Sequence, residues 1–301
     1  MRDVERCPVC DGTVFATVWE STFPGAGWCD AVPYFLTNRV AAVHGRIVRC
    51  GQCGFHLTSP QFSSDDYGRI YSAVHSGGAG PTAGAGGRAR HAQLARRVRG
   101  HEAAGGRFLD FGCGDGAFLD QMADFDATGF EVENGLPEGV ARDGRIVRGD
   151  ILSGWDALEG AGLKPASLDF IVAWDVLEHL ADPKAQLRRL AELLKPGGRL
   201  YLTLPDMASP AARLSGEHWN CVLLEHLWYF TPQTLARFLP DCGFTADAIG
   251  PIGFPVDLGT IARRLRQTYG RWVPHPPRFA DSIVLSLPIG LMFAACRKRA
   301  D

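Results

Sequence analysis

The run Leu109-Asp110-Phe111-Gly112-Cys113-Gly114-Asp115-Gly116 constrains the fold of this chain more than any other stretch. An apolar segment ends in an acidic residue, three glycines follow at alternate positions, and Ala117-Phe118-Leu119 begins a helical pattern. Glycine has no Cβ, so such a loop can turn sharply and let a ligand approach its backbone closely. The run therefore predicts a strand, a tight turn and a helix, with a ligand between the strand and the helix.

The acidic residues of this loop narrow the choice of ligand. A dinucleotide-binding loop reads G-x-G-x-x-G and holds a pyrophosphate, whereas here the third glycine comes one residue early. Asp110 precedes the loop and Asp115 lies inside it. Two carboxylates would repel a pyrophosphate but suit a ligand that carries an ammonium group. The alternative is a doubly wound domain in which Gly112 and Gly114 only form a tight turn and the acids are solvated.

Two further acids follow later strand patterns. Glu131 comes where a second strand ends, and a carboxylate there can accept both hydroxyl groups of a ribose. Asp150 ends a third short strand and can accept a hydrogen bond from the exocyclic amine of adenine, while Ile151 can cover the ring face. Ammonium, ribose and adenine together describe S-adenosylmethionine.

In the order and spacing of these elements the chain resembles the class I S-adenosylmethionine-dependent methyltransferases. Beyond the acids and the glycine loop, the likeness includes Phe170 to Leu180 (FIVAWDVLEHL) and the turn from Leu194 to Leu200 (LKPGGRL), and it covers roughly residues 105 to 245. The resemblance implies an α/β fold with a Rossmann-like seven-stranded sheet. It also implies that the cofactor is bound by Asp110, Gly112, Gly114, Glu131, Asp150, Ile151, Trp174 and Asp175.

Strand and helix patterns alternate between residues 106 and 245, which predicts a parallel sheet. We expect strands at 107–111, 127–131, 145–148, 168–174 and 199–204. Ligands of such sheets bind beyond the carboxyl ends of the strands. Asp110, Glu131, Asp150 and Asp175 all fall on that edge.

Four cysteines near the N-terminus form two C-x-x-C pairs, Cys7 with Cys10 and Cys50 with Cys53. This spacing lets two thiolates turn onto one ion, and two such pairs complete a tetrahedral zinc site with no open position, so the zinc would be structural. The gap between the pairs exceeds the usual 15 to about 20 residues, and strands near residues 14–19 and 45–49 flank a hairpin or loop that accounts for the excess.

Other ligands and other chemistry remain open at these cysteines. A redox-active cysteine pair is the alternative, although thioredoxin-type proteins do not carry two C-x-x-C pairs of this kind. Cys29, His44 and His56 are candidate substitute ligands, and we expect them to be bystanders. The remaining cysteines have no matching spacing and are expected in the core or in a pocket wall, namely Cys113, Cys221, Cys242 and Cys296.

The cysteine pairs make the chain similar to a subgroup of bacterial methyltransferases in which a zinc-binding module precedes the methyltransferase domain and shapes or covers the substrate pocket. We predict a zinc-binding module at residues 1–60, a helical and glycine-rich linker or lid at 61–105, and the methyltransferase domain at 106–301. Within the linker, residues 88–99 predict a basic amphipathic helix that packs Leu94 and Val98 inward and leaves its arginines solvated. A contact with a polyanion is the alternative for that helix.

Two histidines are candidates for catalysis, because an oxygen or nitrogen nucleophile needs a proton removed and histidine can accept it near neutral pH. His179 follows the fourth strand, near where the methyl group should lie, and His226 lies in an aromatic-rich loop after the fifth strand. Each also has a structural alternative: His179 could orient its loop, and His226 could pack among the aromatic residues at 228–230.

A catalytic metal is a further open alternative. Asp175-x-x-Glu178-His179, with His226 downstream, resembles the acidic-plus-histidine cluster that binds a divalent ion in some RNA and quinone-precursor methyltransferases. Those families typically have Glu where this chain has Asp175, and the run Val176 to His179 also occurs in metal-free relatives.

The length and the net charge of the chain limit its possible functions. The 301 residues suffice for one α/β domain with an appendage, and the net charge of −2 argues against a nucleic acid as the main partner. No apolar run reaches the length of about 18 residues typical of a membrane span. The first residues have no signal-peptide core, so we expect a cytoplasmic protein with reduced thiols.

Together these features predict an enzyme that transfers a methyl group from S-adenosylmethionine to an oxygen, nitrogen or carbon atom of a small molecule. Its pathway would be the biosynthesis of secondary or cell-surface metabolites. The alternatives are methylation of RNA or protein, with the zinc module as the recognition device, and a non-catalytic scaffold that binds S-adenosylmethionine.

Overall fold

The computed structural model describes residues 1–35, 43–73, 84–132, 145–149, 155–269 and 275–300. Its strands are β1 (Phe15–Trp19), β2 (Ile47–Cys50), β3 (His56–Thr58), β4 (Arg107–Phe111), β5 (Asp126–Val132), β6 (Ile146–Gly149), β7 (Leu168–Trp174), β8 (Leu194–Pro205), β9 (Trp228–Tyr229), β10 (Phe244–Asp257) and β11 (Val284–Lys298). Its α-helices are α1 (Trp28–Ala31), α2 (Ser64–Ala73), α3 (Gly84–Arg99), α4 (Ala117–Gln121), α5 (Trp155–Gly160), α6 (Pro183–Leu193), α7 (Pro210–Ser215), α8 (Pro232–Phe238) and α9 (Leu258–Tyr269).

Seven of these strands form one sheet in the order β10-β11-β8-β7-β4-β5-β6. The pairs from β8 to β6 are parallel, and β10 and β11 add an antiparallel edge. This is the α/β sheet that the alternation of patterns predicts. The chain reverses its direction of winding between β4 and β7, and ligands of such sheets bind at the carboxyl edge beside this switch point.

Both faces of the sheet are buried, because side chains alternate between two apolar cores along each strand. In β7, Ile171 and Ala173 belong to one core, while Phe170 and Val172 belong to the other. Phe170 stacks on Phe108 of the neighbouring strand with ring centroids 4.7 Å apart. The central strands are therefore held rigidly, and the residues at their carboxyl ends are positioned by them.

A second, four-stranded sheet has the order β1-β2-β3-β9. Its last strand comes from the C-terminal half of the chain, since His56 pairs with Tyr229 and Leu57 with Trp228. Phe55 also packs on Phe230 with ring centroids 4.9 Å apart. The sheet of the N-terminal residues thus extends past residue 60, and the three domain boundaries remain predictions.

The strand predictions agree closely with the structure except at β8. That strand begins at Leu194 rather than near residue 199, because Leu168 pairs with Leu194 while Phe170 pairs with Arg199. The predicted turn at Lys195-Pro196-Gly197-Gly198 is therefore a bulge within the pairing, where Gly197 has a φ of 75°. The remaining strands lie within about two residues of their predicted bounds.

The basic helix differs from its prediction in one respect that matters for the site. Leu94 and Val98 of α3 face the core as expected, but Arg90 and His91 are also buried. The prediction that the arginines of this helix are solvated is therefore wrong at Arg90. Among the described residues, no helix is both long and apolar enough to cross a membrane.

Candidate active site

The glycine loop joins β4 to α4, and its backbone conformation requires glycine at specific positions. Gly112 has a φ of 82°, and a Cβ there would lie 2.5 Å from Cγ2 of Val176. Gly114 has a φ of 53°, but a Cβ there would meet no atom within 4 Å among the described residues. The first glycine thus permits close packing, and the second faces open space into which a ligand fits.

Asp110 lies at the end of β4 beside this loop and is only 1% exposed. Neither of its carboxylate oxygens has a hydrogen-bond partner among the described residues. Burial, and then the nearby Glu131 carboxylate, hold the pKa of Asp110 well above its usual range. A buried carboxylate without a partner is costly, so this one is suited to a cationic or hydrogen-bond-donating ligand group.

Glu131 at the end of β5 holds the loop in place. Its Oε2 accepts a hydrogen bond from the Gly114 N–H at 2.7 Å, and its Oε1 accepts from the Val132 N–H at 2.9 Å. Burial raises the pKa of Glu131, while these two N–H donors oppose the shift. A carboxylate oxygen can accept more than one hydrogen bond, so Glu131 keeps capacity for ligand hydroxyl groups.

Asp175 at the end of β7 belongs to a network with Arg90 and Thr203. Its Oδ2 accepts from Nη2 of Arg90, and its Oδ1 accepts from the Thr203 hydroxyl at 2.8 Å. Asp175 adopts a φ of 56°, a conformation uncommon for a residue with a side chain. The network therefore fixes both carboxylate oxygens of Asp175 and holds the Arg90 guanidinium at the carboxyl edge of the sheet.

Arg90 is a candidate site residue that sequence reasoning missed. It is 5% exposed, its Nη1 has no hydrogen-bond partner among the described residues, and its guanidinium lies 4.7 Å from the Phe254 ring centroid. A buried guanidinium with one unpaired nitrogen can bind an anionic group such as a carboxylate. Nothing in the local pattern distinguishes Arg90 from the other arginines of α3, so no sequence signal pointed to it.

The two predicted catalytic histidines come together although they lie on separate segments of the chain. Their ring centroids are 4.6 Å apart in an edge-to-face arrangement. Nδ1 of His226 is 2.8 Å from the Cys221 carbonyl, and Nδ1 of His179 is 3.1 Å from the Glu225 carbonyl. A carbonyl only accepts, so in both rings Nδ1 carries the proton and Nε2 presents its lone pair.

Glu178 completes a three-residue cluster with these histidines. One ligand atom from each of Glu178, His179 and His226 lies within 4.8 Å of the others. Burial, and then Asp175, hold the pKa of Glu178 well above its usual range, while burial and then His179 hold the pKa of His226 well below its own. The cluster has the donor set of a divalent-cation site, and Asp175 lies outside it in the arginine network.

Two aromatic residues flank this edge of the sheet. Trp174 packs against Phe118 with ring centroids 5.3 Å apart, and its Nε1 is buried without a hydrogen-bond partner among the described residues. Tyr71 of α2 was not predicted as a site residue. Burial, and then the charge of the Glu225 carboxylate, raise the pKa of its hydroxyl, and Glu131 is among the other acids that contribute. The Tyr71 hydroxyl therefore keeps its proton at neutral pH.

The four N-terminal cysteines converge as predicted. Sγ of Cys7 lies 3.5 Å from Sγ of Cys53, and Sγ of Cys10 lies 3.6 Å from Sγ of Cys50. A disulfide would bring two sulfurs to about 2 Å, whereas a tetrahedron with zinc–sulfur bonds of about 2.3 Å separates them by about 3.8 Å. The arrangement fits a four-thiolate ion site better than two disulfides.

Local hydrogen bonds favour the thiolate form at one of these cysteines. Burial would raise the pKa of Cys50, but the N–H groups of Cys53 and Gln52 lower it to about 7. Among the described residues, the cluster does not include Cys29, His44 or His56, and their role as bystanders remains a prediction. The other cysteines are buried, as expected, at Cys113, Cys221, Cys242 and Cys296.

Two predicted cofactor residues, Asp150 and Ile151, lie outside the described residues. The predicted glycine-rich lid lies partly outside them as well, at residues 74–83. Within the described part, the structure brings Asp110, the glycine loop, Glu131 and Trp174 to one edge of the sheet.

Comparison with known proteins gives a match over the sheet. A family model described as a methyltransferase domain matches residues 87–249. A protein named ubiquinone biosynthesis O-methyltransferase from Xanthomonas euvesicatoria pv. vesicatoria is 30% identical over 166 residues, which cover 49% of this chain and 66% of that protein. One of the same name from Aeromonas salmonicida is 36% identical over 144 residues, which cover 44% of this chain and 60% of that protein.

Among solved structures, an S-adenosylmethionine-dependent methyltransferase from Archaeoglobus fulgidus is 18% identical with a TM-score of 0.47, over 70% of this chain and 94% of that one. The chain spans less than two thirds of the length of the two curated relatives. The four N-terminal cysteines precede the residues that the family model matches.

Proposed function

Because this chain belongs to the methyltransferase domain family, we propose that it transfers a methyl group from S-adenosylmethionine to a small-molecule acceptor. The observation that supports the proposal most is the buried carboxylate of Asp110, which has no partner among the described residues and lies at the end of β4 beside the glycine loop. An ammonium group placed against it would offset the cost of burying that charge.

The described residues suffice to hold most of such a cofactor. Asp110 would accept from its ammonium group, Nη1 of Arg90 would donate to its carboxylate, and Glu131 would accept from its ribose hydroxyls. The open face of Gly114 leaves room for it against the loop. Asp150 and Ile151 remain the predicted contacts of its adenine.

Asp175 has a different role in this proposal from the one predicted. Its two oxygens already accept from Arg90 and Thr203, so it would position the arginine rather than bind the cofactor. Trp174 would form an apolar wall of the pocket. When bound, S-adenosylmethionine supplies an electrophilic methyl carbon on a sulfonium, and a site from which water is excluded favours attack because charge disperses in the transition state.

We further propose that the acceptor is deprotonated at the cluster of Glu178, His179 and His226. Both Nε2 atoms present lone pairs, but burial lowers the pKa of His226 well below its usual value and makes its ring a poor proton acceptor. Nε2 of His179 would therefore take the proton, and His226 would accept a hydrogen bond from the acceptor. The relatives' name, O-methyltransferase, makes a hydroxyl group the preferred acceptor.

A cation-assisted form of the same step is the second candidate, supported by the 4.8 Å spacing of the three ligand atoms. Glu178, His179 and His226 would hold a divalent cation, which lowers the pKa of a bound hydroxyl. Titration with Mn²⁺ followed by electron paramagnetic resonance separates the two forms. Stoichiometric binding that is lost in His226→Ala supports the cation, and its absence in the wild type leaves His179 as the base.

For the N-terminal cysteines we propose one structural zinc ion held by Cys7, Cys10, Cys50 and Cys53. The sulfur spacing supports it, and a full set of four thiolates leaves no position for a substrate. The ion would tie the loop that precedes β1 to the end of β2 and the turn that follows it, and β9 connects that sheet to the site histidines.

Calorimetric titration with S-adenosylhomocysteine tests the cofactor assignment. We expect saturable binding by the wild type and a loss of about tenfold or more in Glu131→Ala, because a charge-assisted hydrogen bond is removed. Asp126→Ala, at the exposed opposite end of the same strand, is the matched control and should bind as the wild type does. Failure of the wild type to bind, or unchanged binding by Glu131→Ala, would contradict the assignment.

A further inference from the structure

A cleft of about 480 Å³ lies between the N-terminal sheet, near the four cysteines, and the segments that follow β8. Arg49 and His56 line it from β2 and β3, and Met207, Arg213 and Gln233 line it from the segments that follow β8. Its volume falls within the range of about 300–1,000 Å³ that is typical of small-molecule sites. The cleft belongs to neither the glycine loop nor the histidine cluster.

Apart from Cys53, a candidate metal ligand, the charged side chains that line this cleft are positive. Arg49 and Arg213 both line it, and none of the described lining residues is an aspartate or a glutamate. Within the described part of the chain, neither guanidinium has an ion pair or a side-chain hydrogen bond. Arg213 interacts with Asp206 through its charge only, and Oδ1 of Asp206 accepts a hydrogen bond from the Ala208 N–H at 2.8 Å.

Neutral hydrogen-bonding groups add to the two arginines. Nδ1 of His56 is buried without a hydrogen-bond partner among the described residues, and the Gln233 amide is exposed at the rim. Two guanidinium groups with neutral polar groups and no carboxylate form the donor set that proteins use for phosphate and carboxylate groups. From this we infer that the cleft binds an oxyanion group of a small molecule, held between Arg49 and Arg213.

The position of the cleft suggests two sources for this oxyanion. Thr58, two residues after His56, donates its hydroxyl hydrogen to the His226 carbonyl at 2.9 Å, and the Met207 N–H donates to the Phe230 carbonyl at 2.9 Å. The cleft is therefore built on the segments that carry the histidine cluster. The oxyanion is either part of the methyl acceptor or a separate small anion that binds beside it.

Arg49 has a second possible role, which the experiment must distinguish from anion binding. Cys53 lines the same cleft, so the Arg49 charge could instead offset the negative charge of a four-thiolate metal centre. Arg213 lies on α7, away from the N-terminal segments that carry the cysteines, so zinc content is compared between its variant and that of Arg49. Anion binding requires both arginines, whereas charge compensation of the metal centre requires only Arg49.

The test is calorimetric titration of the full chain with inorganic pyrophosphate at low salt, where exposed charges are least screened. The variants are Arg49→Gln and Arg213→Gln, both exposed positions whose substitution leaves the core intact. Arg237→Gln is the matched control, since it removes the same charge from the exposed face of α8 and does not line the cleft. Zinc content is measured for each variant.

We expect pyrophosphate to bind the wild type with a Kd of about 1 mM or tighter, and each cleft variant to bind about tenfold or more weakly. The control should bind within about twofold of the wild type. A repeat with saturating S-adenosylhomocysteine identifies the source: a changed affinity indicates a group of the methyl acceptor, and an unchanged one indicates a separate anion.

Two results would overturn the inference: no saturable binding by the wild type, or wild-type affinity in Arg213→Gln. If Arg49→Gln loses zinc, the Arg213 variant decides the outcome alone. The titration does not depend on methyl transfer, so failure of this inference and failure of the proposed function are distinguishable.

Discussion

Replacing Asp110 with asparagine should stabilise the ligand-free protein and weaken cofactor binding. The two side chains have nearly the same shape, so the packing around β4 is retained. The carboxylate is 1% exposed and has no partner among the described residues, so its charge is penalised in the folded state. The amide carries no charge, and that penalty disappears.

The sign of the pH dependence follows from the raised pKa. Burial and then Glu131 hold the pKa of Asp110 in the folded state well above its ordinary value. At a pH between the unfolded and the folded pKa of Asp110, the folded protein retains a proton that the unfolded chain has released. The free energy of unfolding therefore falls as pH rises from about 3.9 up to the folded pKa, by about 1.4 kcal/mol for each unit of difference.

The hydrogen bonds that the Asp110 carboxylate lacks give a range for the stabilisation expected at neutral pH. A buried, unsatisfied polar group costs about 1–3 kcal/mol, and the amide of the Asp110→Asn variant would avoid the charged part of this cost. For a chain of this size we therefore expect a rise in Tm of about 2–6 °C. Removing one charge from a buried pair costs about 2–5 kcal/mol, so S-adenosylhomocysteine should bind Asp110→Asn about 30-fold or more weakly.

The assay is thermal unfolding between pH 5 and 8, with and without S-adenosylhomocysteine, together with calorimetric binding. The Tm difference between Asp110→Asn and the wild type should grow with pH in the ligand-free protein and shrink or reverse with ligand. Asp156→Asn, on the exposed side of α5, should shift neither quantity. A variant that is less stable than the wild type at every pH, or that binds equally well, would refute the reasoning.

Three further predictions test other parts of the structure. Cys7→Ser should lower the zinc content from one ion per chain to less than half, measured by plasma emission spectrometry; full retention of zinc would exclude the proposed ligand set. Gly114→Ala should fold with a small loss of stability but lose cofactor affinity. Gly112→Ala should lose about 2 kcal/mol or more of stability, because its Cβ meets Val176. Urea unfolding measures the stability and calorimetry the affinity, and the same behaviour in both variants would contradict this prediction. In a double-mutant cycle with Asp175→Asn, Arg90→Met should show a coupling of about 1–3 kcal/mol in the free energy of unfolding, and a coupling near zero would show that the pair is not formed.

The sheet was largely predictable because its signals are local. Burial on both faces makes each parallel strand a short apolar run, and the acids and glycines that follow it are adjacent in the chain. Strand β7 lies at the predicted residues 168–174, and β4 at 107–111. The C-x-x-C spacing is also a local signal, since it turns the two thiolates of each pair to one side, and the need for four ligands on one zinc predicted that the pairs meet.

Contacts between distant segments were not predictable in this way. Strand β9 joins the N-terminal sheet although it lies about 170 residues later in the chain, and no periodicity marks a two-residue strand. Only the resemblance to a metal-binding cluster grouped His179 with His226 in the sequence, and the fold shows that their ring centroids are 4.6 Å apart.

The sequence by itself determined the α/β sheet, the glycine loop beside Asp110 and the two cysteine pairs, because each is encoded by neighbours within a few positions. The tertiary structure alone decided which of the arginines of α3 is buried, that Asp175 pairs with Arg90, and that Arg49 and Arg213 face one cleft. Burial and charge pairing depend on where separate elements meet in space, and the local pattern of a helix or a strand does not contain that information.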